Sequence, residues 1–223
     1  MLSAMSDLLI LGIETSGILC SIAWWKKDDV LLEFNIERKN AHATLLAQLV
    51  ENGMQELNII PDDLSCIAIS AGPGSFTGLR IGMSYAKGFC YGKDIPLIPV
   101  SNFEILSHTL HTQNMPVYTI IDAQKNNYYT GVFNTDKTKV DEQYLSNIAQ
   151  LEKLIPENAD IIIHEERQKG IFKQTYRGKG NIIQADYSAV RTCSIAHQKL
   201  LKGDFIDLEQ IEPLYLQAFA GVL

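Results

Sequence analysis

The chain has 223 residues, 46% of them hydrophobic and 20% charged, a composition typical of a globular protein with a substantial core. Its formal net charge of −7 argues against nucleic-acid binding by the chain alone, since such binding needs clustered Lys and Arg against the phosphates. No apolar run approaches the roughly 18 residues that span a bilayer, and the N-terminal stretch lacks a basic region and a cleavage site, so we expect a cytoplasmic protein without a membrane contact.

The four cysteines are far apart in the chain and form no C-x-x-C pair. No histidine pair lies beside any of them. This spacing predicts reduced core residues, and neither a disulfide framework nor a metal cluster. They are Cys20, Cys66, Cys90 and Cys193.

The first third of the chain predicts a β-meander followed by a helix. The predicted strands are Leu8 to Ile13, Ile18 to Trp25 and Val30 to Glu37. Trp24 and Trp25 are neighbours on the second strand, so they should face opposite sides of the sheet, one in the core and one partly exposed. A helical period then begins at Asn40, the predicted cap, and ends before Pro61.

The stretch from Ser70 to Gly92 is the most informative part of the sequence. It predicts the end of a buried strand (Leu64 to Ala71), a Gly-Pro-Gly turn and a long helix. The helix is apolar except for one narrow polar stripe, so it should be buried nearly all round. Gly78, Gly82 and Ala86 recur every four residues and leave one edge with almost no side-chain volume. This edge predicts the close approach of another helix.

The turn before this helix has two interpretations. Glycines ahead of a helix N-terminus can bind phosphate, but the spacing of Gly72, Gly74 and Gly78 fits neither a Walker loop nor a dinucleotide loop. The alternative is a tight turn in which Ser75 or Thr77 caps the helix. We favour the tight turn.

The second half begins in a similar way. Another short strand, Leu97 to Val100, is followed by a helix (Phe103 to His111), and two strands (Val117 to Asp122 and Tyr128 to Phe133) then form a hairpin. The remaining predictions are a helix at Ile148 to Leu154, a strand at Ile161 to Ile163 and an amphipathic helix at Ser188 to Leu201, with Gln168 to Tyr176 ambiguous. The sequence thus predicts mixed sheets flanked by helices.

Several motifs together resemble the TsaB (YeaZ) family, bacterial proteins needed to make threonylcarbamoyladenosine beside the tRNA anticodon. The resemblance covers roughly residues 1 to 135 and the C-terminal end. It implies an actin-like/Hsp70-like (ASKHA) fold of two ribonuclease-H-like halves, residues 1–102 with 212–223 packed on them and residues 103–211. The motifs are Ile13 to Ser16, the string from Ser70 to Gly88, Ile95 to Ser101, Ile121 to Ala123 and Glu212 to Leu216.

The catalytic sister family, TsaD, carries the metal motif V-N-H-L-E-G-H at the strand that here is Leu97 to Val100. The two histidine positions of the motif hold Asn102 and Leu106 in this chain. A leucine cannot ligate a metal, and one remaining carboxylate is a poor site for iron or zinc. The resemblance therefore predicts no metal and no catalysis. No alternative protease motif is present in the sequence.

The fold of the family also implies a nucleotide position between the two halves, with Glu14, Thr15 and Ser16 in one turn and Asp122 with Gln124 in the other. Members that bind nucleotide carry a glycine-rich loop after a late strand. In this chain the corresponding residues, 164–167, are His-Glu-Glu-Arg. We therefore predict no cofactor beyond a weak or vestigial ATP or ADP site, with these residues retained as turn residues.

The resemblance places the helix that begins near His42 beside the helix of the Gly-Pro-Gly turn, so we predict an interface there and favour it over a catalytic role for His42. The predicted interface residues are His42, Leu46, Gly78, Leu79, Gly82, Met83, Ala86 and Lys87. Through them the chain would form a homodimer or engage a TsaD-type subunit and, with a TsaE-type ATPase, support tRNA modification, reaching tRNA only through the complex. The rival hypotheses are a small-molecule kinase or ATP hydrolase of the same fold, and a homodimer with no catalytic partner.

Overall fold

The structure is a computed structural model that describes residues 7–38, 41–109, 115–125, 127–136, 139–145, 147–164, 169–170, 173–174, 176–204 and 206–216. The chain divides into two compact units. Unit 1 comprises residues 1–102 and 187–213, and unit 2 comprises residues 103–186 and 214–223. In the described part of the chain, none of the helices is long and apolar enough to cross a membrane.

Unit 1 contains a mixed five-stranded sheet in the order β3-β2-β1-β4-β5. The first three strands form the predicted antiparallel meander, and β4 and β5 continue the sheet parallel to β1. The strands are β1 (Leu9–Glu14), β2 (Leu19–Lys26), β3 (Asp29–Glu37), β4 (Cys66–Gly72) and β5 (Leu97–Ser101).

Two helices, α1 (His42–Glu56) and α2 (Phe76–Cys90), cover one face of this sheet. The N-cap of α1 is Ala41, whose side chain makes no capping bond, and Asn40, the predicted cap, lies outside the described residues. Ser75 caps α2, its hydroxyl accepting a hydrogen bond from the Gly78 amide at 3.2 Å. Ser75 is one of the two caps that the tight-turn interpretation of the Gly-Pro-Gly segment predicts.

The other face of the sheet is covered by α5 (Ala189–Lys202), whose backbone lies against Gly12 of β1. The side chains of the two tryptophans of β2 point to opposite faces of the sheet. The Trp24 ring packs against Gly53 of α1, and the Trp25 ring lies 4.8 Å from the His197 ring of α5. Their opposite orientation is confirmed, but Trp25 is only 3% exposed because α5 covers it, so the expected partial exposure is wrong.

Unit 2 repeats the strand pattern of unit 1. Its sheet has the order β10-β9-β6-β7-β8, an antiparallel meander continued by two parallel strands. The helices α3 (Asn102–Ser107) and α4 (Ile148–Leu154) belong to this half of the chain, α3 beginning at the last residue of unit 1. The strands are β6 (Val117–Asp122), β7 (Tyr128–Phe133), β8 (Lys139–Leu145), β9 (Asp160–Ile163) and β10 (Ile182–Gln184).

The repeated strand order is the topology of two ribonuclease-H-like halves, so the predicted actin-like fold class is confirmed. The division between the two units falls between residues 102 and 103. The expected ends of the halves differ from the structure, since residues 187–211 belong to unit 1 and residues 214–223 to unit 2. The physical reason is α5, whose buried residues pack on the sheet of unit 1.

Candidate functional site

The turn between β1 and β2 is held by the buried carboxyl group of Glu14. Its Oε1 accepts hydrogen bonds from the Ser16 amide at 2.6 Å, from the Ser70 hydroxyl at 3.1 Å and from the Ser16 hydroxyl. Its Oε2 is buried and has no hydrogen-bond partner. Burial raises the pKa of Glu14, and the bonds from Ser16, Ser70 and Gly17 oppose this rise.

Asn102 connects this turn to the start of α2. Its Nδ2 donates to the Ser16 hydroxyl at 2.6 Å and to the Pro73 carbonyl at 2.8 Å. The Ser75 amide donates to the Ser16 carbonyl at 2.8 Å, and a Cβ on Gly74 would lie 2.9 Å from the Ser16 Cβ. The Gly-Pro-Gly turn is therefore packed onto the chain's own β1–β2 turn.

The small-residue edge of α2 is covered by Thr15. The Thr15 hydroxyl donates to the Gly78 carbonyl at 2.8 Å, and a Cβ added to Gly78 would lie 2.0 Å from the Thr15 carbonyl oxygen. A Cβ on Gly82 would lie 2.4 Å from Thr15 Oγ1 and 3.1 Å from Ile69. The expectation that this edge is open to another chain is wrong, because the close approach is made within the chain.

Most of the predicted interface residues are core residues of unit 1. Met83 is 4% exposed and packs with β-strand residues of the sheet, so it faces inward. A direct contact of a partner with these side chains is inconsistent with their burial. The buried members of the predicted set are Leu46, Gly78, Leu79, Gly82, Met83 and Ala86.

The other two predicted interface residues, His42 and Lys87, are half-buried. His42 is the first residue of α1, and its Nε2 is buried without a hydrogen-bond partner. Lys87 is on α2, and its Nζ donates to the Glu209 carbonyl at 3.5 Å.

The outer surface shared by α1 and α2 carries half-buried apolar side chains. Ile81, Tyr85 and Phe89 recur every four residues on α2 and pack against the edge of the core. Beside them lies a groove of about 470 Å³. Its lining residues are Val50, Glu51, Met54, Gln55, Asn58, Ile59, Ile60, Pro61, Tyr85 and Phe89.

Two features of this groove bear on what it can bind. Ile60 is 60% exposed at its rim, so the surface presents apolar area to solvent. Burial and the nearby Glu51 carboxylate raise the pKa of Tyr85 to about 12, so the Tyr85 hydroxyl keeps its proton at neutral pH. The groove therefore offers a mainly apolar surface that carries one acidic side chain, Glu51. We call the exposed side of α1 and α2 that includes this groove the α1/α2 face.

In unit 2 the predicted phosphate-facing residues form a local turn. The Gln124 amide donates to Asp122 Oδ1 at 2.7 Å, and Gln124 has a positive φ of 64°. This bond orders the turn from within. Asp122 and Gln124 belong to unit 2, and Glu14, Thr15 and Ser16 to unit 1, so the nucleotide expectation stays a prediction.

The positions that would hold the TsaD histidines are occupied by buried side chains that do not fit a metal. Asn102 uses its amide for the two bonds described above, and Leu106 is fully buried. Within the described ranges, no group of three or more His, Cys, Asp or Glu side chains could hold a metal ion.

Sequence reasoning missed the bonds that join Ser16, Ser70 and Asn102 around Glu14. The sequence indicates Asn102 only as a substituted metal ligand and Ser70 only as part of the end of a strand. The available signal was polarity within buried strands, because Glu14 is the last residue of β1 and Ser70 lies near the end of β4, the parallel neighbour of β1.

Comparison with known proteins identifies the TsaD family. Residues 33–210 match the family model described as "TsaD: tRNA N6-adenosine threonylcarbamoyltransferase". A "tRNA threonylcarbamoyladenosine biosynthesis protein TsaB" from Bacillus subtilis is 32% identical over 148 residues, which are 66% of this chain and 60% of that protein. The TsaB protein of Haemophilus influenzae is 24% identical over 96% of this chain and 95% of its own length.

A solved structure agrees with the fold. "YeaZ from Pseudomonas aeruginosa" has a TM-score of 0.79 and is 23% identical, covering 94% of this chain and 100% of that one. At this identity the likeness supports the fold alone.

Proposed function

Because the chain belongs to the TsaD family and, within it, to the TsaB (YeaZ) proteins, we propose that it is a non-catalytic subunit in threonylcarbamoyladenosine biosynthesis on tRNA. Its TsaB relatives indicate a role in this pathway. The finer proposal is that it orders a TsaD-type catalytic subunit, with a TsaE-type ATPase as the third component.

The hydrogen bonds of the Asn102 side chain are the observation that supports the non-catalytic part of the proposal. The resemblance implies a metal-binding histidine at this position in TsaD, whereas this amide is bonded to Ser16 and Pro73 and serves the fold of its own chain. A catalytic metal centre would require side chains that the chain does not have there.

The partner surface in this proposal is the α1/α2 face. It combines exposed apolar area at Ile60 with the half-buried stripe of Ile81, Tyr85 and Phe89. A paralogue of the same fold can present an equivalent face, so a homodimer and a heterodimer would compete for one surface. The burial of Gly78, Gly82 and Met83 gives these residues an indirect role, as the packing that positions the face.

The proposal is tested by reconstitution. TsaD-type and TsaE-type subunits, tRNA and the threonylcarbamoyl donor are assayed with and without this chain. We expect modified tRNA only when the chain is present with the TsaD-type subunit, and none from the chain alone. Modification by the chain alone would contradict the non-catalytic role.

We predict that the purified chain contains no stoichiometric iron or zinc. The physical reason is the loss of both histidine ligands at Asn102 and Leu106. Elemental analysis by mass spectrometry of protein purified without chelators and without a metal-binding tag measures this directly. One tightly bound metal per chain would be incompatible with the proposal.

We also predict weak binding of tRNA by the isolated chain. With 26 acidic and 19 basic residues, the chain repels phosphates on average, so its Kd should be no tighter than the range of about 10⁻⁴–10⁻⁶ M typical of non-specific binding. Fluorescence anisotropy with labelled tRNA, with and without the TsaD-type subunit, measures the difference. Tight, salt-sensitive binding by the chain alone would contradict this prediction.

A further inference from the structure

The stretch from Gln168 to Ala185 is basic, although the chain as a whole carries a formal net charge of −7. It contains four basic residues and neither Asp nor Glu. Like charges repel one another, so such a cluster lowers the stability of the folded chain, and a bound anion would offset this loss. The charge pattern therefore favours an anionic ligand. The four basic residues are Lys169, Lys173, Arg177 and Lys179.

Three of these cations are exposed and unpaired. The side chains of Lys173, Arg177 and Lys179 are exposed to solvent. None of the three makes an ion pair with another residue that the structure describes. Their positive charges are therefore available to an external anion.

The backbone that carries Arg177 and Lys179 is fixed on the loop of residues 156–159. The Tyr176 hydroxyl lies within hydrogen-bond distance of three carbonyl oxygens of this loop, the shortest distance being 2.9 Å. The Lys179 amide donates to the Glu157 carbonyl of the same loop at 2.6 Å. A surface that is held in place before binding loses less conformational entropy when a ligand binds.

Burial alternates along this backbone and places the two cations on one side of it. Tyr176, Gly178 and Gly180 are half-buried, and Cβ atoms added to the two glycines would collide with carbonyl oxygens of the loop 156–159. The residues between them, Arg177 and Lys179, are exposed. Because side chains two residues apart in such an alternation lie on the same side, both cations point away from the loop.

The acidic groups next to this pair of cations do not neutralise it. Burial raises the pKa of Tyr176, and the nearby carboxylates of Asp160 and Glu157 add to the rise. Asp160 is 3% exposed, and its Oδ1 already accepts two hydrogen bonds from Asn181. Glu157 is exposed and makes no ion pair with a described residue. Two outward cations beside one exposed carboxylate leave a net positive surface.

We propose that Arg177 and Lys179 form a contact surface for the phosphates of RNA, through which the chain contacts the tRNA bound to its catalytic partner. Guanidinium and ammonium groups are the usual protein ligands of phosphate. The choice of RNA among polyanions rests on the proposed function, whereas the positive surface belongs to the chain itself. Two phosphate contacts supply little affinity, so this inference agrees with the weak tRNA binding predicted for the isolated chain.

The first test measures the salt dependence of tRNA binding by the isolated chain. Each lost phosphate contact reduces the slope of log K against log salt concentration by about 0.7–0.9. The double variant Arg177→Gln/Lys179→Gln should therefore reduce the slope by about 1.4–1.8, and the advantage of wild type should be about tenfold larger at 50 mM than at 200 mM salt. Fluorescence anisotropy with labelled tRNA measures both slopes.

The matched control is Arg38→Gln/Lys202→Gln. Arg38 and Lys202 are also exposed and without an ion pair among the described residues, but they belong to unit 1. The control removes the same two residue types and the same net charge, and it should keep the wild-type slope. Circular dichroism checks that both variants fold. Equal reductions in the two variants, an unchanged slope in Arg177→Gln/Lys179→Gln, or no detectable binding by wild type at 50 mM salt would overturn the proposal.

The second test uses the complex with the TsaD-type subunit. Arg177→Gln/Lys179→Gln should bind this subunit with wild-type affinity in isothermal titration calorimetry, and the resulting complex should show the same reduction of slope for tRNA. An unchanged slope in an intact complex would overturn the proposal. If wild type does not bind the TsaD-type subunit, the proposed function is contradicted, and the slopes of the isolated chain still decide this inference.

Vesicles of phosphatidylserine and phosphatidylcholine are the third probe, because a membrane surface also presents phosphates to basic residues. We expect wild type and Arg177→Gln/Lys179→Gln to bind the vesicles equally weakly in a sedimentation assay. Vesicle binding by wild type that the double variant loses, with tRNA binding unchanged, would assign the surface to a membrane and overturn the proposal.

Discussion

Replacing Gly78 with alanine is expected to destabilise the folded chain by about 1–3 kcal/mol or more, the usual range for overpacking a filled site. The added Cβ would lie 2.0 Å from the Thr15 carbonyl oxygen, a backbone atom that cannot rotate away. The β1–β2 turn or the α2 helix must therefore move. Chemical denaturation followed by circular dichroism measures the loss.

The matched control is Gly88→Ala on the same helix. A Cβ at Gly88 meets no atom within 4 Å, so alanine there should stabilise the chain by about 0.5–1 kcal/mol through its higher helix propensity. Opposite signs at the two positions are the expected result. If Gly78→Ala left monomer stability unchanged but dissolved a dimer, the edge would be an interface after all.

A further substitution at Gly82 distinguishes side-chain from backbone contact. A Cβ at Gly82 lies 2.4 Å from Thr15 Oγ1, a side-chain atom, so Thr15→Ala should relieve part of the cost of Gly82→Ala. The same Thr15→Ala change should not rescue Gly78→Ala, because there the obstacle is the Thr15 carbonyl. Met83→Asp would bury a carboxylate in the core and is expected to misfold, so it cannot report on an interface.

Replacing Ala47 with arginine is expected to weaken binding to the TsaD-type subunit by a factor of about 10 to 100, since a long side chain inserted into the contact surface overfills it at a cost of about 1–3 kcal/mol. Ala47 is exposed on α1 and lies four residues before Glu51 and seven before Met54, which line the groove. The fold should tolerate the change, because arginine is nearly as good a helix former as alanine at an exposed position. Isothermal titration calorimetry measures the affinity.

The matched control for Ala47→Arg is Asn52→Arg. Asn52 is also exposed on α1, lies about 140° around the helix from Ala47 and is not among the residues that line the groove. The Asn52→Arg substitution adds the same charge to the same helix and should leave the affinity for the TsaD-type subunit unchanged. Equal affinities for wild type and both variants would exclude the α1/α2 face as the contact surface.

Much of the fold could be predicted from periodicity. The alternation and apolar runs of the first half identify β1 to β5, and the 3.6-residue period identifies α1 and α2. The sequence did not predict two of the strands, for different reasons. β8 carries four charged or amide side chains among its seven residues, and β10 has only three residues, too few for a pattern.

The candidate site was harder to predict because its contacts are distant in sequence. The Gly78-Gly82-Ala86 spacing correctly indicates a close approach, but periodicity cannot identify the approaching group, which is Thr15, 63 residues earlier than Gly78. The Glu14 carboxyl group likewise depends on Ser70, 56 residues later. Such pairs follow from strand order, which is fixed only when β1 and β4 pair in the sheet.

We propose that the chain supports threonylcarbamoylation of tRNA through the α1/α2 face, and the most direct measurement is the threonylcarbamoyladenosine content of tRNA in cells depleted of this protein. Mass spectrometry of digested tRNA should show that the modification collapses on depletion. Expression of wild type or Asn52→Arg should restore it, and Ala47→Arg should not. An unchanged level of the modification in fully depleted cells would contradict the account.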